Sequence, residues 1–272
     1  MSSLKTSLER KNSVLNYLMT LFREPLSFFD QAIYRIAAVL IGLCFHEFAH
    51  AYVAHRCGDD TAKQAGRMTV NPLAHLDPFG TILMFFCGFG YAKPVPVNPY
   101  RFRGNRVRAD FLVSIAGICM NMILFLLFTL LTLVCSSFMW NPAVISRYGL
   151  TTLVSYRYNV IWSVISGSAM ENFSDIIAVS WLVPVVRLSA YTALVNLNLA
   201  VFNLLPMPPL DGYHVFNDLI FRGRFQLSHN AFRIAMAAVL VLSASGVLGR
   251  IISMAVYPVQ DFVLLPAKAI WG

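Results

Sequence analysis

The chain has 272 residues, 57% of them hydrophobic and only 12% charged, with a mean hydropathy of +0.63. Soluble domains carry about 25% charged residues, so half that proportion, together with long apolar runs, excludes an ordinary soluble domain and points to a polytopic membrane protein. The net charge of +8 then reads as basic cytoplasmic loops beside an anionic leaflet, and no basic–aromatic pattern suggests a nucleic-acid partner.

The N-terminus is basic, with Lys5, Arg10 and Lys11, and the apolar stretch after it is broken by Arg23, Glu24 and Pro25. No A-x-A site follows, so residues 12–29 read as an interfacial amphipathic helix rather than a signal peptide. This divides the chain into an N-terminal interfacial segment, 1–30, and a single membrane domain, 31–272. Four runs within it are long enough to cross about 30 Å of hydrocarbon, at 32–55, 110–138, 179–205 and 232–256. The third holds Pro184 and Arg187 near its start, and the fourth holds Gly246 and Arg250, where it can break. The run 79–92 is too short to span and is expected to be re-entrant, a disposition allowed at membrane depth only when packed in protein. The expected fold is therefore an all-α polytopic membrane protein. It has about four to six transmembrane helices and a short re-entrant or β-like segment.

Lysines and arginines concentrate in the loop 56–108 and recur at Arg222, Arg224 and Arg233, whereas the loop 139–178 holds only Arg147 and Arg157. The first two regions are thus expected on the cytoplasmic side of a cell membrane. The basic N-terminus then falls on the opposite side, unless 12–29 dips into the membrane or adds a span. The loop 139–178, with Tyr148, Tyr156, Tyr158 and Trp162, is expected at the outer interface as a short helix or lid. The five cysteines form no CxxC pair and read as small buried hydrophobes.

Near the end of the first span stands HEFAH, residues 46–50, inside a run that carries no charge between Arg35 and His46. His46 and His50 are one helical turn apart and share a face, the spacing for two imidazoles on one zinc ion. Glu47, at the edge of that face, can reach a zinc-bound water without being a ligand. Polar groups in a membrane span are costly, so a functional role is the default reading; the alternative is a polar packing cluster without metal. Catalytic zinc takes three protein ligands and keeps one open position. A further histidine six residues past His50 is absent, because Arg56 stands there. The candidates for the third ligand are His75, Asp77, Asp211 and His214. Asp211 has the most suggestive context: an apolar helix runs into Pro206, Pro208 and Pro209, and Gly212 follows the carboxylate. Prolines stop the helix and glycine permits unusual backbone angles, so Asp211 would be held on irregular backbone at a helix end.

HEFAH and the later NLLPMPPLDG, residues 203–212, together resemble the paired motifs of the site-2 proteases, the intramembrane zinc metalloproteases of peptidase family M50. The segments 58–80 and 90–99 look like the compact branch of that family, which lacks an inserted PDZ or CBS domain. The resemblance covers residues 32–256 and implies one zinc per chain held by His46, His50 and Asp211, with Glu47 as catalytic base. It implies substrates that are membrane proteins with transmembrane helices, cut within or near those helices. The family's GPxxN pattern reads AGICMNM here, with Gly117 and Asn121 present and Ile118 in the proline position. A role for Asn121 in supporting the oxyanion or substrate is implied less directly, and helix–helix hydrogen bonding is its plain alternative. Asn203 could support the same region or hold Glu47, and His75 could lie behind the metal ligands or simply in a loop. Finally, KPVPVNP, residues 93–99, cannot be helical and reads as an edge strand. Val95 and Val97 would share one face and could pair with an unwound substrate by β-addition; a rigid loop is the alternative. A zinc carrier or a catalytically silent relative is the competing function. The carrier reading leaves Glu47 unexplained, and the silent relative would be expected to have lost Glu47 or a ligand.

Overall fold

A computed structural model describes residues 21–87, 92–225 and 227–271. The first helix, α1 (Pro25–Arg56), starts at a proline, whose fixed φ suits the first turn and whose missing N–H costs nothing there, and it runs unbroken through HEFAH. A single turn, α2 (Thr61–Gln64), and the apolar helix α3 (Pro78–Cys87) follow. Next comes α4 (Arg106–Met139), whose first turn is capped by the Asn105 side chain accepting from the Arg108 N–H. Four short helices, α5 (Pro142–Tyr148), α6 (Leu150–Val154), α7 (Asn159–Ser166) and α8 (Ala169–Phe173), form a cap. The chain ends with α9 (Val183–Asn203), α10 (Asp211–Ile220), α11 (His229–Ala244) and α12 (Val247–Trp271).

Four helices are long and apolar enough to cross a membrane, at Pro25–Arg56, Arg106–Met139, Ser180–Asn203 and Val247–Ile270. The expected fourth run, 232–256, is divided at Gly246, one of the two places where it can break. Its first part belongs to α11, a 16-residue helix about 24 Å long and so short of the hydrocarbon thickness. The chain turns at Gly246, φ +76°, a conformation that costs glycine little, and the membrane-length helix begins at Val247. Of the expected stretch 12–29, residues 12–20 lie outside the described residues; 21–23 are helical, and 25–29 are the first turns of α1. Four residues of the run 79–92, 88–91, also lie outside them, and α3 is its helical part.

α4 and α9 pack most extensively against each other, with α1 lying on both and α10 on α4. The cap closes one end of this group around Trp140, Met139, Leu150 and Ile161. Its backbone is pinned to α12 by the buried Gln260, which accepts from the Tyr156 N–H at 2.8 Å and donates to the Val154 carbonyl at 3.3 Å. At the opposite end, residues 93–98 run extended, joined to the loop before α3 by an isolated antiparallel bridge between Leu76 and Ala92.

Candidate active site

HEFAH lies in the last third of α1, where the helix is enclosed by α4 and α9, so His46 and His50 are almost fully buried. Their rings meet edge to face with centroids 4.5 Å apart, and the two Nε2 atoms are 3.0 Å apart. Each ring is held from behind by α4. His50 Nδ1 lies 2.7 Å from the Val113 carbonyl, which can only accept, so Nδ1 carries the proton and Nε2 is left with a free lone pair. His46 Nδ1 lies 3.1 Å from the amide of Asn121, a fully buried residue. The amide is placed with Nδ2 toward the ring and Oδ1 without a partner; turning the amide over satisfies that buried oxygen with the Nδ1 proton, and in that orientation His46 also keeps Nε2 free. Between them stands Gly117: a Cβ there would sit 2.4 Å from His50 Nε2 and 2.5 Å from His46 Cε1. Only glycine lets two imidazoles pack into the side of α4.

Asp211 arrives from the other direction. The prolines after Asn203 end α9, and α10 restarts at Asp211. A Cβ on Gly212 would lie 2.4–2.5 Å from backbone atoms of Leu204 and Leu205, so the start of α10 is pressed onto the end of α9 and the carboxylate is fixed in place. Asp211 Oδ2 lies 3.1 Å from His46 Nε2 and 3.3 Å from His50 Nε2, and it is buried without a hydrogen-bond partner. His46, His50 and Asp211 form the one group of three such side chains, among the described residues, whose ligand atoms could hold a metal ion. Two free imidazole nitrogens and an orphaned carboxylate oxygen facing one point are a donor set that suits zinc; unfilled, they would be a costly polar void.

Glu47, also buried, accepts from the Val95 N–H at 2.8 Å through Oε2. The extended segment therefore lies against the glutamate. It is anchored further at both ends. Lys93 donates its N–H to the His75 carbonyl at 2.8 Å, and its own carbonyl accepts from Arg67 Nη2 at 2.6 Å. The Asn98 N–H donates to Asp59 Oδ2 at 2.6 Å. Asp59 is wholly buried and also accepts from Thr61 N–H and Oγ1. Burial pushes its carboxyl upward, but the hydrogen bonds from Asn98 and Thr61, with the nearby Arg101, hold it below the usual carboxylate range.

The remaining expected residues are placed as follows. Asn121 is fully buried with its amide 3.1 Å from His46 Nδ1, where it supports the ring. His75 lies away from the ligand cluster: its Nε2 donates to the Thr69 carbonyl at 2.7 Å, and it shapes the loop that holds Lys93. Asp77 Oδ1 accepts from the Gly80 N–H at the start of α3, and His214 pairs with Asp110. No hydrogen bond of the Asn203 side chain is found among the described residues. Val97 packs beside Ala54, Phe102 and Val113. The Val113 carbonyl and the Asp59 anchor were not expected; a carbonyl leaves no mark in sequence, and Asp59 stands in a GDD run that looks like an ordinary turn.

Membrane-length helices that bring HExxH and a distant aspartate to one buried point define a membrane-embedded metallopeptidase. This chain belongs to peptidase family M50, whose family model matches residues 34–245. It is 40% identical over 188 residues to YwhC of Bacillus subtilis (strain 168), named as a zinc metalloprotease; the match covers 69% of each chain. It is 30% identical over 192 residues to Rip2 of Mycolicibacterium smegmatis, named likewise, covering 70% of this chain and 58% of that one. A Rip2 of Mycobacterium tuberculosis (strain H37Rv) is 26% identical over 194 residues, again with 58% of that chain covered. No solved structure gives a significant match.

Proposed function

We propose that this protein is an intramembrane endopeptidase that uses one zinc ion per chain, held by His46, His50 and Asp211, to cut membrane proteins within or near their transmembrane helices. The observation that carries this reading is the position of Glu47, which is one residue from a ligand on one side and bonded to an extended backbone on the other. A soluble loop substrate would need no helix unwinding, whereas a transmembrane segment must be opened into extended form before its peptide bonds can be attacked. The segment 93–98 offers a strand against which it can be held, with Val95 and Val97 as the pairing positions.

Zinc, when bound, would acidify a water and polarise the scissile carbonyl. Glu47 would accept a proton from the attacking water and return it to the leaving nitrogen. The Val95 N–H fixes one oxygen of that carboxylate. Val113 and Asn121 keep the two imidazoles in the orientation that leaves their Nε2 atoms unprotonated. The basic loop 56–108 supports an active site toward the cytoplasmic side of a plasma membrane.

The first test is bound zinc in purified wild type, Glu47→Gln and Asp211→Ala. About one zinc in the first two and a large loss in the third is expected, with turnover of a membrane-segment substrate reduced about 10²–10⁴-fold in Glu47→Gln. Full zinc retention by Asp211→Ala would refute the ligand set, and undiminished cleavage by Glu47→Gln would refute the base.

A further inference from the structure

The face of α4 turned to the site carries more than the supports of the two histidines. Asn121 stands behind His46, Gly117 admits both rings and Val113 holds His50. One turn earlier on the same face, since positions 110, 113, 117 and 121 follow the three-and-four spacing of a helix, is Asp110. It faces α10, the helix whose first residue is Asp211. Asp110 Oδ2 lies 3.3 Å from Nδ1 of His214, one turn beyond Asp211. Asp218, a further turn along, is 93% buried by its 7% exposure, with Oδ2 lacking any hydrogen-bond partner. A buried carboxylate of this kind is unstable beside a second one unless a proton is shared.

We propose that Asp110 is a positioning residue for the metal ligand Asp211. Through its pairing with His214, beside the buried Asp218, it locks α10 onto α4, so that one face of α4 supports all three ligands. The inference rests on the reading that His46, His50 and Asp211 hold zinc. Burial and the neighbouring Asp110 charge push the Asp218 carboxyl up to about 7, and the bond to Asp110 raises His214 as well. The cluster therefore holds its protons in weakly acidic solution and gives them up as the pH rises. The other charged groups facing it are Arg108 and Arg222, which with Asp218 line an open cavity of about 500 Å³, and Asp211 itself, which acts on His214. A folded-state pKa raised above the unfolded one contributes stability that is lost as pH rises through the folded value. Both shifts have this sign, so for Asp218 the lock is tightest below the ordinary carboxylate range, loosens as the pH rises toward about 7 and has lost this contribution above it.

The experiment is zinc affinity of the purified full-length protein, by competition with a chromophoric chelator, for wild type, D110A, D110N, H214A, D110A/H214A, D218N and D211A. D211A should lose zinc; if it does not, the ligand reading itself fails. Given that loss, D110A should weaken zinc about 10- to 100-fold, the usual effect of removing a residue that orients a ligand. D110N, which can still accept from His214 and donate to Asp218, should stay within about threefold of wild type. The double variant should be no worse than D110A alone, since both substitutions break one link. The ratio of wild-type to D218N dissociation constants should rise with pH up to about 7 and then level off; the ratio cancels the titration of the ligands. Zinc affinity of D110A within about twofold of wild type, penalties that multiply in the double variant, or a pH-independent ratio would each overturn the proposal. If D110A does not yield folded protein, H214A carries the test: unchanged affinity there refutes the link.

Discussion

The His46–His50 pair depends on a missing atom. Alanine at position 117 would drive a methyl group into both rings, 2.4 Å from one and 2.5 Å from the other, with rigid helices on either side. Overpacking of this kind typically costs about 1–3 kcal/mol, and here the atoms displaced are the ligands. Gly117→Ala is therefore expected to weaken zinc at least about tenfold, since about 1.4 kcal/mol lost from the ligand geometry is already that factor. Gly249→Ala, where an added Cβ meets nothing within 4 Å, is the control and should leave zinc unchanged, with stability slightly raised by helix propensity. Equal zinc affinity in Gly117→Ala and wild type would show that the rings have room to move.

At the scale of elements, the segment 93–98 is held by side chains and loop backbone rather than by a sheet. Glu47 takes the N–H of Val95, Asp59 that of Asn98, and His75 and Arg67 secure Lys93. Two prolines, Pro94 and Pro96, remove donors and fix φ, and the residue before each is biased to extended backbone, so the segment's own sequence favours the extended form. Proline at Val95 or Val97 should abolish cleavage of a membrane substrate while leaving bound zinc intact; unchanged cleavage would sink strand pairing. Asp59→Asn should destabilise the protein by about 1–3 kcal/mol, the cost of disrupting a buried charged acceptor. Because the folded carboxyl lies below its ordinary range, its contribution is complete above that range and is lost as pH falls through it. The unfolding-temperature gap between wild type and Asp59→Asn should accordingly shrink from neutral pH toward about pH 3, just below the ordinary aspartate range; a gap independent of pH would mean that the carboxylate charge contributes nothing.

For the molecule as a whole, the cap and the membrane helices are tied at the end away from HEFAH. Arg187 on α9 is buried, pairs with Asp30 of α1 at 2.6 Å, donates to the Ile165 carbonyl at 3.0 Å and lies over the Tyr34 ring. Removing the partner of a buried charge costs far more than breaking an exposed pair. Asp30 is itself half exposed, which reduces the expected cost. Asp30→Ala should still destabilise by about 1–3 kcal/mol, against less than about 1 kcal/mol for Asp261→Ala, which breaks the exposed pair with Arg157. Denaturation in detergent measures both, and equal effects would show that Arg187 is well satisfied without Asp30.

The parts of this protein readable from sequence are those governed by local periodicity. Apolar run length marked membrane helices, the turn of the helix put His46 and His50 on one face, and proline and glycine punctuation singled out Asp211. The M50 family was legible because its two motifs are each contiguous. What tertiary structure decided lies between segments far apart in the chain: Asn121 behind His46, 75 residues away, the Val113 carbonyl behind His50, the Val95 N–H on Glu47, and Asp110 against α10. Such pairings depend on which helix faces pack together, and an apolar helix with hydrophobic residues all round does not announce its inner face. The break at Gly246 shows the same limit from the other side. The sequence marked Gly246 as a place where the run can break, and only the backbone turn there assigned the membrane-length helix to residues 247–270.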